Sequence, residues 1–308
     1  MSTQEAVPSE IAEIIRQIPS WAEAQDLQLE RLAGLTNTNY AVTVDGERFV
    51  VRVSGPNAER LGIDRELEVQ ALLAASQAGL APQVVHVMLP EGHLVTRYID
   101  GGHWTLAEYR QRENLRRLVE AVKRLHALPP VEATFSPFRR VEAYARQAQE
   151  MGVPFPPDFD ELVRNMEGIA RDQARDPSPW QRFCHNDLFS VNVIDDGQVR
   201  FIDWEFSGVG DLYFDLATLF YAYDSADTLP QALQEYVMAC YFGQVRAEHW
   251  ARLAGMRYML MFFCAMWGLL QYGLEQRGLV QSIEGFDFLE YAETSFAAMR
   301  ATDFAPNR

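Results

Sequence analysis

His185, Asn186, Asp187, Asn192 and Asp203 interrupt the otherwise apolar stretch FCHNDLFSVNVIDDGQVRFIDWE, residues 183–205. Buried carboxylates are costly unless something compensates them. Asp195-Asp196-Gly197 is a turn signal between two β-like runs, VNVI and VRFID, so the stretch reads as a hairpin. With residues 196 and 197 at the tip, 192 pairs with 201 and 190 with 203. Asn192 and Asp203 then share the open end, and Asp187 lies in the loop that feeds it. Hard oxygen ligands with no Cys or His partner spacing favour Mg²⁺ over zinc. An ion held by Asn192 and Asp203 leaves positions for phosphate oxygens and water, and Asp187 stays free to take a hydroxyl proton. That is the chemistry of phosphoryl transfer to an alcohol. Each residue alone would read as a turn cap or a core histidine. The combination H-x-D-x-x-x-x-N, then I-D-W on the next strand, carries the reading. His185 itself reads as structural, its ring bonding backbone near the loop.

Such a site also needs groups for a nucleotide. Arg52 is the only charge in FVVRV, and a buried cation there needs an anion. Glu68 on the following helix is the expected partner, with Glu66 as its rival. The pair would match the lysine and helix glutamate of kinases, with arginine substituted. GLTNTNY, residues 34–40, precedes that strand, and Thr36, Asn37 and Thr38 offer hydroxyl and amide donors at a loop tip. LVTRYIDGG is an extended segment against which an adenine could stack, bonding backbone near Arg97 and Ile99.

Regular elements must position these groups. Ile11, Ile14, Ile15 and Ile18 mark an amphipathic helix that stops before Pro19. YAVTVDGERFVVRVSG is a hairpin around Asp45-Gly46. IDRELEVQALLAASQAG is a helix closed by Gly79, and PQVVHVMLPEGHLVTRYI supplies two more strands. From Thr105 the pattern is helical, and 183–205 is the only evident β segment of that half. The reading is α+β: a nucleotide-binding lobe with an antiparallel sheet over 1–99, and a larger, mainly helical catalytic lobe over 100–308. Ligand sites favour such junctions.

The net charge of −16 over 308 residues repels nucleic acid and anionic membrane, so neither is an expected partner. Cys184, Cys240 and Cys264 form no ligand spacing and suit reduced, buried thiols in the cytoplasm. The N-terminal residues show no signal-peptide pattern. YMLMFFCAMWGLL, residues 258–270, is too short to span a bilayer and reads as a buried helix. A homodimer is allowed.

Assembled, the chain resembles the choline/ethanolamine kinase family, within the aminoglycoside-phosphotransferase-like small-molecule kinases. LTNTNY, VVRVSG, HNDLFSVN, IDWEFSGVGDLYFDLA, MWGLLQYG and FLEYAETSF carry the resemblance over residues 34–296. It implies a bilobal kinase-like fold and transfer of the γ-phosphoryl of MgATP to a small alcohol. By motif match it implies Asp187 as base, Asn192 and Asp203 as metal ligands, Arg52 and Glu68 as the phosphate-orienting pair, and Asp215 as support for the catalytic loop. Trp267, Phe286 and Tyr291 match the family's aromatic positions for an ammonium group, with Glu205 an added nearby acid. Two positions depart from the pattern. Leu270 replaces the second tryptophan of the W-x-x-W found in eukaryotic choline kinases, giving one aliphatic wall. Ala222 and Tyr223 stand where the family tends to place an acid. The expected acceptor is choline or ethanolamine. The alternatives are thiamine, an aminoglycoside or a sugar, or a non-catalytic nucleotide-binding protein.

Overall fold

The computed structural model describes residues 9–22, 24–175, 178–221 and 228–302. The chain forms two compact units, 1–101 and 102–308.

The first unit is built on a five-stranded antiparallel sheet. Helices α1 (Ser9–Gln17) and α2 (Pro19–Ala22) lead into β1 (Leu27–Leu32), β2 (Thr38–Val44) and β3 (Glu47–Val53). Helix α3 (Arg65–Gln77) follows, then β4 (Val84–Met88) and β5 (His93–Arg97), in the spatial order β1-β2-β3-β5-β4. Asp45 and Gly46 have φ of 48° and 86°, the backbone that a two-residue hairpin turn requires. Strand β1 goes beyond the sequence reading. Its LQLERL alternates only weakly, with Leu27 and Leu29 half-buried at the sheet edge. The side chain of Asp45 fixes its entry by accepting from the amides of Gln25 and Asp26.

Strand alternation divides the faces of β3. Phe49, Val51 and Val53 join Val42, Val44, Ile11, Ile14, Ile18 and Trp21 in one core. Arg52 takes the opposite face, where α3 brings Glu68. Asp64 caps α3 by accepting from the amides of Glu66 and Leu67.

The second unit is mainly helical: α4 (Leu106–Tyr109), α5 (Arg112–His126), α6 (Pro137–Glu150) and α7 (Phe159–Ala174) come first. Short strands β6 (Gln181–Cys184), β7 (Val193–Asp195), β8 (Val199–Phe201) and β9 (Gly208–Asp211) follow. Helices α8 (Leu212–Thr218), α9 (Gln231–Phe242), α10 (Ala247–Gln276) and α11 (Phe288–Arg300) complete it. Helix α10 packs on α6, α8 and α11. It runs for 30 residues, not the 13 of its most apolar stretch, and is long and apolar enough to cross a membrane. In this fold it is a core helix, buried along nearly its whole apolar length. The expectation that all three thiols are buried holds for Cys184 and Cys264, while Cys240 is half-buried.

Strand β9 extends the β content beyond 183–205, pairing antiparallel with β6. Apart from Val209, its GVGD consists of residues depleted in strands. The glycines serve close approach instead: a Cβ on Gly208 would lie 2.9 Å from the backbone of Ala133, to whose carbonyl Val209 donates.

Candidate active site

The loop after β6 is held from behind by Asp215. One carboxylate oxygen accepts from the amide of Asn186 at 2.6 Å, and the other from the amide of His185 at 2.9 Å. The Nε2 of His126 lies 2.9 Å from that second oxygen, and its Nδ1 lies 2.7 Å from the Tyr241 hydroxyl. His185 is fully buried between Phe201 and Trp204, with Nε2 3.0 Å from the carbonyl of Ile202. Burial pushes its pKa down to about 4, so the ring is neutral and donates from Nε2. Asn186 adopts φ of 66° and donates its side-chain amide to the carbonyl of Phe206. The next residue, Asp187, thereby leaves the loop on a fixed backbone. His126 had no signal in the sequence beyond ending an amphipathic helix.

His126, Cys184 and Asp215 also bring ligand-type atoms within 4.8 Å of one another. They make a poor metal site. Both oxygens of Asp215 are taken by hydrogen bonds, and burial holds the Cys184 thiol well above its usual range, leaving it protonated.

The side-chain amide of Asn192 donates to the carboxylate of Asp187 at 2.8 Å and to its carbonyl at 2.9 Å. Asp187 is half-buried, and desolvation first, then the charge of Glu205, pushes its carboxyl up to about 7. The bond from Asn192 pulls the other way. Glu205 is 6% exposed. The hairpin register differs from the expected one by a single residue: Val193 faces Phe201 and Asp195 faces Val199. The turn therefore takes three residues, 196–198, and Asn192 lies opposite Ile202, whose amide donates to its carbonyl. Asp203 follows directly. It is exposed and holds φ of 62°, a left-handed conformation that a residue with a Cβ rarely adopts.

The donor set fits a hard divalent cation. Asn192 commits its amide nitrogen to Asp187, which leaves its side-chain oxygen available, and the register puts Asn192 opposite Ile202, one residue before Asp203, at the hairpin's open end. Amide and carboxylate oxygens suit Mg²⁺.

The hairpin is anchored at Asp195, which the sequence marked only as a turn residue. Arg117 grips its carboxylate with two bonds of 2.6 Å, and Trp104 Nε1 donates to it at 2.9 Å. Gly102 and Asp195 exchange backbone bonds of 3.1 and 3.0 Å, extending the two-stranded sheet by a bridge.

The three expected aromatic residues lie together. Tyr291 stands 5.6 Å from Trp267 and 5.5 Å from Phe286, centroid to centroid, and buried Phe288 packs behind them. Gly268 lets α10 and α11 approach: a Cβ there would lie 2.9 Å from the carbonyl of Phe288. Cys264, one turn before Trp267, feels both the hydroxyl of Tyr291 and the charge of Asp187. Leu270, three residues after Trp267 on α10, is fully buried. Ala222 and Tyr223 lie outside the described residues.

In the first unit Arg52 pairs with Glu68, its Nη1 on one carboxylate oxygen and its Nη2 3.1 Å from the other. Glu66 is exposed, which settles the rivalry. Desolvation raises the Glu68 carboxyl, but Arg52 and Arg65 together outweigh it and hold the pKa below the usual range. Asn37 departs from the expected loop-tip role. It is buried, and its carbonyl oxygen accepts from Arg65 at 2.9 Å and from the amide of Gly55 at 3.2 Å. Thr36 stays half-buried in the turn, and Thr38 opens β2 opposite Val53. Arg97 pairs with Glu47 at 3.0 Å and lies over the ring of Phe49, while Ile99 is half-buried.

Residues 28–255 match the phosphotransferase enzyme family. The chain belongs to that family. It is 29% identical to protein LicA of Haemophilus influenzae over 80% of this chain and 73% of LicA. It is 26% identical to ethanolamine kinase 2 of Mus musculus over 92% of this chain and 78% of the relative. A solved choline/ethanolamine kinase family protein from Mesorhizobium loti superimposes with a TM-score of 0.77 at 28% identity, covering 96% of this chain and 95% of the other. The phosphotransferase resembles choline and ethanolamine kinases in both sequence and fold.

Proposed function

We propose that the phosphotransferase moves the γ-phosphoryl group of ATP to the hydroxyl of a small amino-alcohol, choline or ethanolamine. The observation that carries this reading is the Asp187–Asn192 pair, on a loop held by Asp215; the cluster of Trp267, Phe286 and Tyr291 in the same unit supports it. Asp187, near half-ionised at neutral pH, accepts the hydroxyl proton as the substrate oxygen bonds to the γ-phosphorus. The bond from that phosphorus to the β–γ bridging oxygen breaks, and ADP leaves. Asn192 fixes the direction of the Asp187 carboxylate and keeps it from swinging away. Asn192 and Asp203 would hold Mg²⁺, which when bound neutralises charge on the phosphate oxygens. Arg52, oriented by Glu68, serves the phosphates. The aromatic rings offer negative faces to an ammonium group, and Glu205 adds a carboxylate.

A single screen tests the reading: ATP consumption with choline, ethanolamine, thiamine, sugars and aminoglycosides, for wild type and Asp187→Ala. Turnover with one of the two amines, lost in the variant, is expected. Turnover confined to a sugar, thiamine or an aminoglycoside would remove the substrate assignment and leave the kinase. Nucleotide binding with no turnover over the panel would favour a non-catalytic role.

A further inference from the structure

Arg65 is the first residue of α3, and only 7% of it is exposed. A cation is disfavoured at that end of a helix, where the amide groups already point their positive ends. Burial adds to the cost. The fold nevertheless clears space for it. Gly92, at φ of 78°, passes so close that a Cβ there would lie 2.4 Å from the Arg65 side chain.

The guanidinium ties four segments together, two directly and two through its partners. Its Nη1 donates to Glu68 at 2.7 Å, on the carboxylate oxygen that also accepts from Arg52. Its Nη2 donates to Asn37 at 2.9 Å. Asn37 in turn accepts from the amide of Gly55, and the two turns touch so closely that a Cβ on Gly55 would lie 2.2 Å from the carbonyl of Thr36. Strand β3, helix α3 and the turns at 34–37 and 54–55 are thus registered on one side chain.

Resting on the function proposed above, we propose that Arg65 is a positioning residue for the nucleotide's phosphates: it shares Glu68 with Arg52 and locks the Asn37 turn to that ion cluster. Two guanidinium groups on one carboxylate keep the cluster cationic, whereas Arg52 and Glu68 alone would cancel. Direct phosphate contact fits less well. Arg65 does line an open depression of about 760 Å³, but Glu59, Asp64, Glu66 and Glu91 line it too, and four carboxylates repel a phosphate. Its effect passes through Glu68, Arg52 and the turn. A lysine would keep the charge but could not span Glu68 and Asn37 with a rigid fork.

The test uses the full chain with Arg65→Gln, Arg65→Lys and Asn37→Ala. Calorimetry gives the Kd for ADP, and steady-state kinetics give separate KM values for ATP and the acceptor. Arg65→Gln is expected to weaken ADP binding and raise the KM for ATP by about tenfold, with the acceptor KM changed by less than about twofold. Arg65→Lys should recover part of the loss. Asn37→Ala should weaken ADP binding less and add little to Arg65→Gln, since both cut the same link. Unchanged ADP affinity in a folded Arg65→Gln or Arg65→Lys protein would overturn the inference. So would a fall in kcat that follows lost folded protein, with both KM values unchanged. Wild type that binds no nucleotide would overturn the proposed function itself, and this inference with it.

Discussion

The side-chain amide of Asn192 bonds both the carboxylate and the carbonyl of Asp187, at 2.8 and 2.9 Å. One residue therefore aims the proposed base and still has its own amide oxygen to offer a cation. Substitution separates the two duties. Asp187→Ala should lower kcat by about a thousandfold, as loss of a general base does, with little change in the KM for ATP. Asn192→Asp keeps an oxygen ligand but sets a second carboxylate against Asp187. It should lower kcat and move the ascending limb of the pH–rate profile to higher pH. Steady-state kinetics over a pH series would check both, and an unshifted profile in Asn192→Asp would count against Asp187 as the titrating base.

Asp187 also makes stability depend on pH. Its ordinary value is 3.8, and in the folded protein it is pushed up to about 7. Between those values the folded protein holds a proton that the unfolded chain has released, so this group's contribution to stability falls as pH rises through the window. Asp187→Asn should abolish that loss. In the presence of a chelator the variant should match wild type near pH 4 and exceed it at pH 8 by on the order of 1 kcal/mol. That is less than the full shift implies, because the carboxyl is only half-buried. Urea unfolding at several pH values measures the difference directly.

The H-x-D-x-x-x-x-N spacing was legible because it recruits several polar residues into an apolar stretch, and chance rarely does that. The Asp45-Gly46 hairpin was legible because its turn needs positive φ. What escaped follows from weaker physics. Strand β1 hides because an edge strand with charged outward residues has little alternation. Strand β9 hides behind glycines chosen for close approach to Ala133. The register slip at 196–198 turns on whether two residues or three form the turn, a difference that Asp-Asp-Gly-Gln leaves open. Arg65, His126 and Arg117 escaped for a shared reason: each acts through a partner distant in sequence. Asn37 carries the same lesson in reverse, since a polar loop residue reads the same whether it faces solvent or an arginine.

Asp215 is the acceptor for two backbone amides and for His126, all in a fully buried setting. Asp215→Ala would strand those donors without water. The expected cost is about 3 kcal/mol or more. His126→Gln leaves the backbone bonds intact and should cost roughly half as much. Because Asp215 holds the residues just before Asp187, both variants should lose more activity than their folded fraction explains. Denaturant unfolding beside kcat at a temperature where each variant is folded would separate the two effects. Activity that simply tracks folded protein would reduce Asp215 to a stability role.

The aromatic group invites a test by acceptor chemistry. A quaternary ammonium cannot donate hydrogen bonds, so its binding depends on ring faces, whereas a primary ammonium can also bond a carboxylate. Tyr291 is the half-buried ring between Trp267 and Phe286. Tyr291→Leu should therefore raise the KM for choline by about tenfold and that for ethanolamine by less, given the usual strength of one desolvated cation–π contact. Tyr291→Phe keeps the ring face and should restore choline binding, although it removes the hydroxyl beside Cys264. Glu205→Gln should reverse the preference, weakening ethanolamine more than choline. It would also relieve the charge that helps raise Asp187, so its pH–rate profile should move to lower pH. Equal changes for both amines in Tyr291→Leu would mean that the ring packs the wall and does not read the ammonium group.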